Sequence, residues 1–130
     1  MGYNVLIVDD SMIIRGMVAK TLQISGLELE EVHYASNGRE GLDQLQLYAM
    51  DIVFADINMP VMDGVQMVAA MAESGLLQRI PVVIISTERN RQRIDYLKSL
   101  GVTAYLKKPF MPEDFKATVE QLLQPGKAMS

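Results

Sequence analysis

Cysteine is absent from this chain and histidine occurs once. The first absence excludes disulfides and thiolate chemistry and fits a cytoplasmic setting. The lone His33 sits in a strand-like stretch with no catalytic partner in view and reads as an ordinary strand residue. No apolar run approaches the length of a bilayer span, and the N-terminus lacks a signal-peptide pattern, so no membrane insertion is expected. Repeats and low-complexity tracts are also missing. A net charge of −4 argues against direct nucleic-acid binding. What remains is 130 residues that are 49% hydrophobic, enough to bury a core in one domain.

That domain is expected over residues 1–124, with 125–130 as a flexible tail, either a natural end or the start of a linker cut from a longer protein. Charge is unevenly spread. Residues 1–78 hold 11 acids and 3 bases, whereas residues 79–108 hold 7 bases (Arg79, Arg89, Arg91, Arg93, Lys98, Lys107 and Lys108) against Glu88 and Asp95. The basic stretch reads either as a solvated helix face or as a docking surface for an acidic partner.

Strand and helix signals alternate along the chain. The apolar runs Val5-Leu6-Ile7-Val8, Ile52-Val53-Phe54-Ala55 and Val82-Val83-Ile84-Ile85 read as strands buried on both faces. Leu29 to Ala35 is a mixed strand nearer an edge, and Ala104-Tyr105-Leu106 a short last strand. Ser11 can cap a first helix with Ile14, Met17, Val18, Thr21 and Leu22 on one face, stopped by Gly26. Further helices follow Asn37-Gly38, Asp63-Gly64 and the fourth strand, and Pro112 opens the last, with Phe115, Val119, Leu122 and Leu123 inward. Most of the 10 methionines are core filler in this reading. Five strands alternating with five helices predict an α/β, doubly wound, five-stranded parallel sheet with helices on both faces.

Parallel strands bring their C-terminal ends to one edge of the sheet. Four of those ends carry polar groups: Asp9-Asp10, Asp56, Ser86-Thr87 and Lys108. Three acids meeting at one spot repel one another unless a cation sits among them, and hard oxygen ligands suit Mg²⁺. An aspartate can attack phosphorus to form an acyl phosphate, while a lysine and a hydroxyl meet the phosphoryl oxygens. Phosphoryl transfer is the chemistry this set of residues indicates.

Taken in order, Val8-Asp9-Asp10, Asp56 with Asn58-Met59-Pro60 and Met62-Asp63-Gly64, Ser86-x-Glu88 and Lys108-Pro109-Phe110 resemble response-regulator receiver domains over Val5 to about Leu123. The single-domain, CheY-like chemotaxis kind is the nearest in pattern. The resemblance implies a flavodoxin-like fold with strand order 2-1-3-4-5. It further implies that Asp56 is the phosphoacceptor of a two-component phosphorelay, with Mg²⁺ (or Mn²⁺) bound by Asp10, Asp56, the Asn58 carbonyl and, mostly through water, Asp9. Lys108 would pair with the phosphoryl oxygens, and its bond to Pro109 would be cis. Ser86 and Tyr105 would form the switch, and Asn58 and Glu88 would modulate hydrolysis. Donors would be a histidine kinase or a histidine phosphotransfer protein. A target, in chemotaxis the flagellar motor switch, would bind the face of the fourth predicted helix, fifth strand and fifth helix. The domain would catalyse its own phosphorylation and dephosphorylation without being a separate enzyme.

Four other readings stand beside this one. The chain could be a receiver excised from a longer regulator or kinase, or a receiver acting as a constitutive scaffold, which the full set of acidic residues disfavours. A haloacid-dehalogenase-like phosphatase would place an acid two residues after the nucleophile, where this chain has Asn58. A flavodoxin-like FMN carrier would need a Ser/Thr-rich loop where Asp9-Asp10 stand.

Overall fold

The computed structural model describes residues 2–87 and 91–123. The elements run β1 (Tyr3–Val8), α1 (Met12–Ile24), β2 (Leu29–Ala35), α2 (Gly38–Leu47), β3 (Ile52–Ala55), α3 (Gly64–Ser74), α4 (Leu76–Arg79), β4 (Val82–Ser86), α5 (Arg91–Leu100), β5 (Ala104–Lys107) and α6 (Pro112–Leu123). The five strands pair in parallel in the order β2-β1-β3-β4-β5. The chain leaves β1 toward β2 on one side and continues from β3 on the other, so a crevice opens beyond the C-terminal ends of β1 and β3.

The unbroken apolar strand runs reflect a sheet covered twice. On one face Leu6, Val8, Val53, Ala55, Val82 and Ile84 join Met67, Val68, Met71 and Leu97 from α3 and α5. On the other, Val5, Ile7, Ile52, Phe54, Val83 and Ile85 join Val18 and Leu22 from α1 and Phe115 and Val119 from α6. Phe54 and Phe115 lie with ring centroids 5.3 Å apart, and Phe110 meets Phe115 edge-on at 4.8 Å. The helix starts follow local chemistry. Ser11, Asn37 and Asp63 each accept a backbone N–H of the first turn, and Asp63 forms a reciprocal capping box with Gln66.

Two expectations need correcting. There are six helices among the described residues, because Gly75 in the left-handed region (φ 84°) breaks the third helix and the single turn α4 follows. Leu76, Leu77 and Ile80 pack against the core there, and a four-residue element is too short to show a period. Met17 does not belong to the buried face of α1. It is 52% exposed, and Ala19 is buried with Val18 and Leu22 instead, because α1 rests on the sheet along a narrower stripe. Leu122 and Leu123 pack at the margin of the core while Phe115 and Val119 are fully inside. β2 is an edge strand, as its mixed composition suggested. The tail 125–130 lies outside the described residues.

Candidate functional site

The register brings the acids together. Val8 of β1 pairs with Ala35 on one side and with Ala55 on the other, so Asp9 and Asp56 leave adjacent strands at the same level. Two backbone bonds hold this edge: Asp9 N–H donates to Ala35 O at 3.0 Å and Asp56 N–H to Val8 O at 3.0 Å. Ser86 lies opposite Lys107 in the β4–β5 pair, which sets Lys108 one residue beyond the sheet.

One carboxylate oxygen each from Asp9, Asp10 and Asp56 lie within 4.8 Å of one another. Asp9 is buried, Asp56 half-buried and Asp10 exposed. Asp9 Oδ1 accepts the Ser11 amide at 2.9 Å, and Asp56 Oδ1 accepts the Ile57 amide at 2.8 Å. Lys108 Nζ stands 3.6 Å from Asp9 Oδ2 and 3.8 Å from Asp56 Oδ2. Burial pushes the Asp9 carboxyl above its ordinary value. The Ser11 amide opposes this, the charge of Asp56 adds to it, Lys108 opposes it, and Asp10 adds further. The three carboxylates therefore repel across a partly dry cleft, and Lys108 relieves only part of that. Oxygen donors, one of them open to water, fit a hard divalent cation.

The loop from β3 to α3 is shaped by close contacts. A Cβ on Gly64 would fall 2.2 Å from Asp56 O, and Gly64 N–H donates to Ile57 O at 2.8 Å. Gly64 thus packs directly on the backbone of the candidate phosphoacceptor, beyond the turn role its sequence suggests. Inside the same loop Met62 N–H donates to Pro60 O at 2.7 Å, a γ-turn centred on Val61 at φ 68°. That turn is rare and strained for a β-branched residue. The Lys108–Pro109 peptide is cis, as the resemblance implies.

Ser86 is buried at the end of β4, and Tyr105 is half-buried on β5, its hydroxyl donating to Ile94 O at 3.4 Å. A cavity of about 50 Å³ lies between them, lined also by Ile57, Ile84 and Ile94. Burial, then the charge of Asp95, raises the Tyr105 phenol above its ordinary value. Glu88 lies outside the described residues, and Thr87 is exposed. His33 stacks on Tyr48 at 4.5 Å and contacts Glu31 at 2.9 Å, away from the acids.

Two residues near the site escaped sequence reasoning. Arg15 of α1 donates to the Asp9 carbonyl at 2.6 Å. Arg93 of α5 donates through Nη1 to Asn58 Oδ1 at 3.0 Å and lies through Nη2 3.5 Å from Asp63 Oδ2. The basic stretch is therefore not wholly a docking surface, since Arg93 is turned onto the β3–α3 loop. Arg15 is one helical turn beyond its cap, a weak local signal. The Arg93 contacts have none, lying 35 and 30 residues away in sequence.

Comparison with known proteins gives one consistent answer. The family model for the response regulator receiver domain matches residues 5–120. The chemotaxis protein CheY1 of Helicobacter pylori is 32% identical over 121 residues, covering 92% of this chain and 96% of that protein. The solved structure of the chemotaxis protein CheY4 of Vibrio cholerae superposes with a TM-score of 0.82 at 37% identity, covering 95% of this chain and 100% of that one. A protein-glutamate methylesterase/protein-glutamine glutaminase of a Nocardioides species is 35% identical over 123 residues, covering 93% of this chain but only 33% of that protein's length.

Proposed function

This chain belongs to the response regulator receiver domain family, and from that premise we propose that it is a phosphorylation-controlled signalling switch with Asp56 as phosphoacceptor. The observation that carries the proposal is the meeting of three carboxylates within 4.8 Å, with the Lys108 ammonium in reach of two of them. A carboxylate oxygen of Asp56 attacks the phosphorus of a phospho-histidine. The new O–P bond forms as the N–P bond breaks, and the released imidazole nitrogen takes a proton. Side chains of Asp9, Asp10 and Asp56 and the Asn58 carbonyl would hold Mg²⁺ or Mn²⁺, which supplies charge neutralisation at the phosphoryl oxygens. Lys108 adds a second positive charge beside them, and Ser86 is the hydroxyl that follows the phosphoryl group. Tyr105 moves toward the space beside Ser86, altering the face of α5, β5 and α6 on which a target binds. Asn58 and Glu88 modulate the hydrolysis that ends the signal.

The donor is a histidine kinase or a histidine phosphotransfer protein in the cytoplasm. CheY1 and CheY4 match along nearly their whole length, which supports chemotaxis as the output and the flagellar motor switch as the target class. A regulatory role inside a longer protein is the second reading, favoured by the methylesterase relative. The family match sets aside the haloacid-dehalogenase and FMN-carrier alternatives. Intact-mass measurement after incubation with acetyl phosphate and Mg²⁺ tests the central step. The wild type should gain one phosphoryl group and Asp56→Asn none; undiminished labelling of the variant refutes the assignment.

A further inference from the structure

Arg93 stands in the first turn of α5, on an element that contributes nothing to the acidic cluster, yet its guanidinium reaches the loop that follows Asp56. One end of the fork rests on Asp63, itself fixed by the capping box: Asp63 Oδ1 accepts the Gln66 amide at 2.8 Å, and the Asp63 amide donates to Gln66 Oε1 at 3.0 Å. The other end donates to the Asn58 carboxamide oxygen at 3.0 Å. Both Arg93 and Asp63 are about one-third exposed (30% and 31%), so this ion pair adds little to stability. Its effect is geometric. A planar guanidinium with one nitrogen anchored on a helix cap presents the second in a set direction.

The contact also decides how Asn58 is turned. A guanidinium only donates, so the end of the carboxamide that faces it must be the oxygen, and the amino group lies at the other end. The backbone of Asn58 is tethered by Ile57, which is 1% exposed. Water attacking a phosphorylated Asp56 points a lone pair at phosphorus and needs an acceptor for its proton. Turned toward Arg93 and occupied on one of its two lone pairs, the Asn58 oxygen is a poorer acceptor for that proton, and the carboxamide presents its donors at the opposite end.

We propose that Arg93 is a positioning residue that acts through Asn58: by holding the carboxamide oxygen it slows loss of the phosphoryl group and lengthens the signal. The inference rests on the proposed phosphoacceptor role of Asp56.

The test uses the full chain as wild type, Arg93→Ala, Arg93→Lys, Asn58→Ala and the Asn58→Ala/Arg93→Ala double variant. Each is labelled with acetyl phosphate and Mg²⁺, the donor is removed, and acyl phosphate loss is followed. Arg93→Ala should lose phosphate about three- to tenfold faster than wild type, the change expected when one restraining hydrogen bond is released. Arg93→Lys, which cannot span both acceptors, should fall between. In the Asn58→Ala background removal of Arg93 should leave the rate unchanged, because the interaction is then already gone. An unaltered rate in Arg93→Ala overturns the inference, as does equal acceleration in the Asn58→Ala background. A wild type that takes no label overturns the Asp56 reading and this inference together. A wild type that labels normally confines any failure to Arg93.

Discussion

Replacing Lys108 with methionine should weaken the metal-free protein and strengthen its hold on Mg²⁺. Methionine keeps an apolar stem in the surface groove that Lys108 lines with Ile14, Met17 and Phe110, so the change removes charge with little loss of packing. The Lys108 ammonium lies 3.6 Å from Asp9 and 3.8 Å from Asp56, and its side chain is 21% exposed. At such separations an effective dielectric between protein and water gives roughly 1–4 kcal/mol of attraction per pair. Partial desolvation of the ammonium offsets much of this, leaving about 1.5 kcal/mol for both pairs together. The metal-free variant should then melt about 5 °C lower than wild type. A divalent cation neutralises the same carboxylates and no longer competes with an ammonium, so Mg²⁺ affinity should rise by about tenfold. Melting curves in EDTA and across a Mg²⁺ titration measure both numbers, since a ligand bound only by the folded state raises the midpoint with its concentration. The two proteins should converge as Mg²⁺ saturates. Equal metal-free midpoints, or weaker Mg²⁺ binding by a folded variant, would refute the reasoning.

Val61→Asn should raise stability by about 1 kcal/mol, because Val61 is 82% exposed and held at φ 68°, a region that asparagine tolerates and valine does not. A chemical denaturation midpoint that falls would show that the γ-turn carries no strain. Gly64→Ala should cost about 2–3 kcal/mol by overpacking, since its Cβ meets the Asp56 carbonyl at 2.2 Å. It should also lower Mg²⁺ affinity by displacing Asp56; calorimetric titration with unchanged affinity would contradict the packing account. Glu40 is held below its ordinary value first by the Ser36 amide and then by the Ser36 hydroxyl. A depressed acid adds stability that is present above its unfolded-state value and disappears as pH falls through its folded-state value. Glu40→Gln should therefore melt below wild type at neutral pH, with the gap closing in acid; a gap independent of pH would show that the Ser36 contacts do not favour the ionised form.

Much of this molecule is written locally. The strands Val5–Val8, Ile52–Ala55 and Val82–Ile85 are legible because a strand covered on both faces needs apolar residues at every position, and each run gives way to a polar residue at the C-terminal edge of the sheet. Ser11, Asn37 and Asp63 announce helix starts because a cap bonds only its own first turn. Alternation of the two element types implies a parallel sheet, and a parallel sheet gathers Asp9, Asp10, Asp56, Ser86 and Lys108 at one edge whatever the details. The tertiary structure alone decided the rest. The stripe of α1 that faces the sheet excludes Met17, since periodicity names a face but not its width. Gly64 is favoured because of the carbonyl it touches, which a turn signal does not reveal. Arg93 belongs to Asn58 and Asp63 rather than to solvent because α3 and α5 pack side by side on one face of the sheet. Sequence patterns record each residue's preference for water or core within its own element. Which distant side chain completes a hydrogen bond is set only when the elements dock.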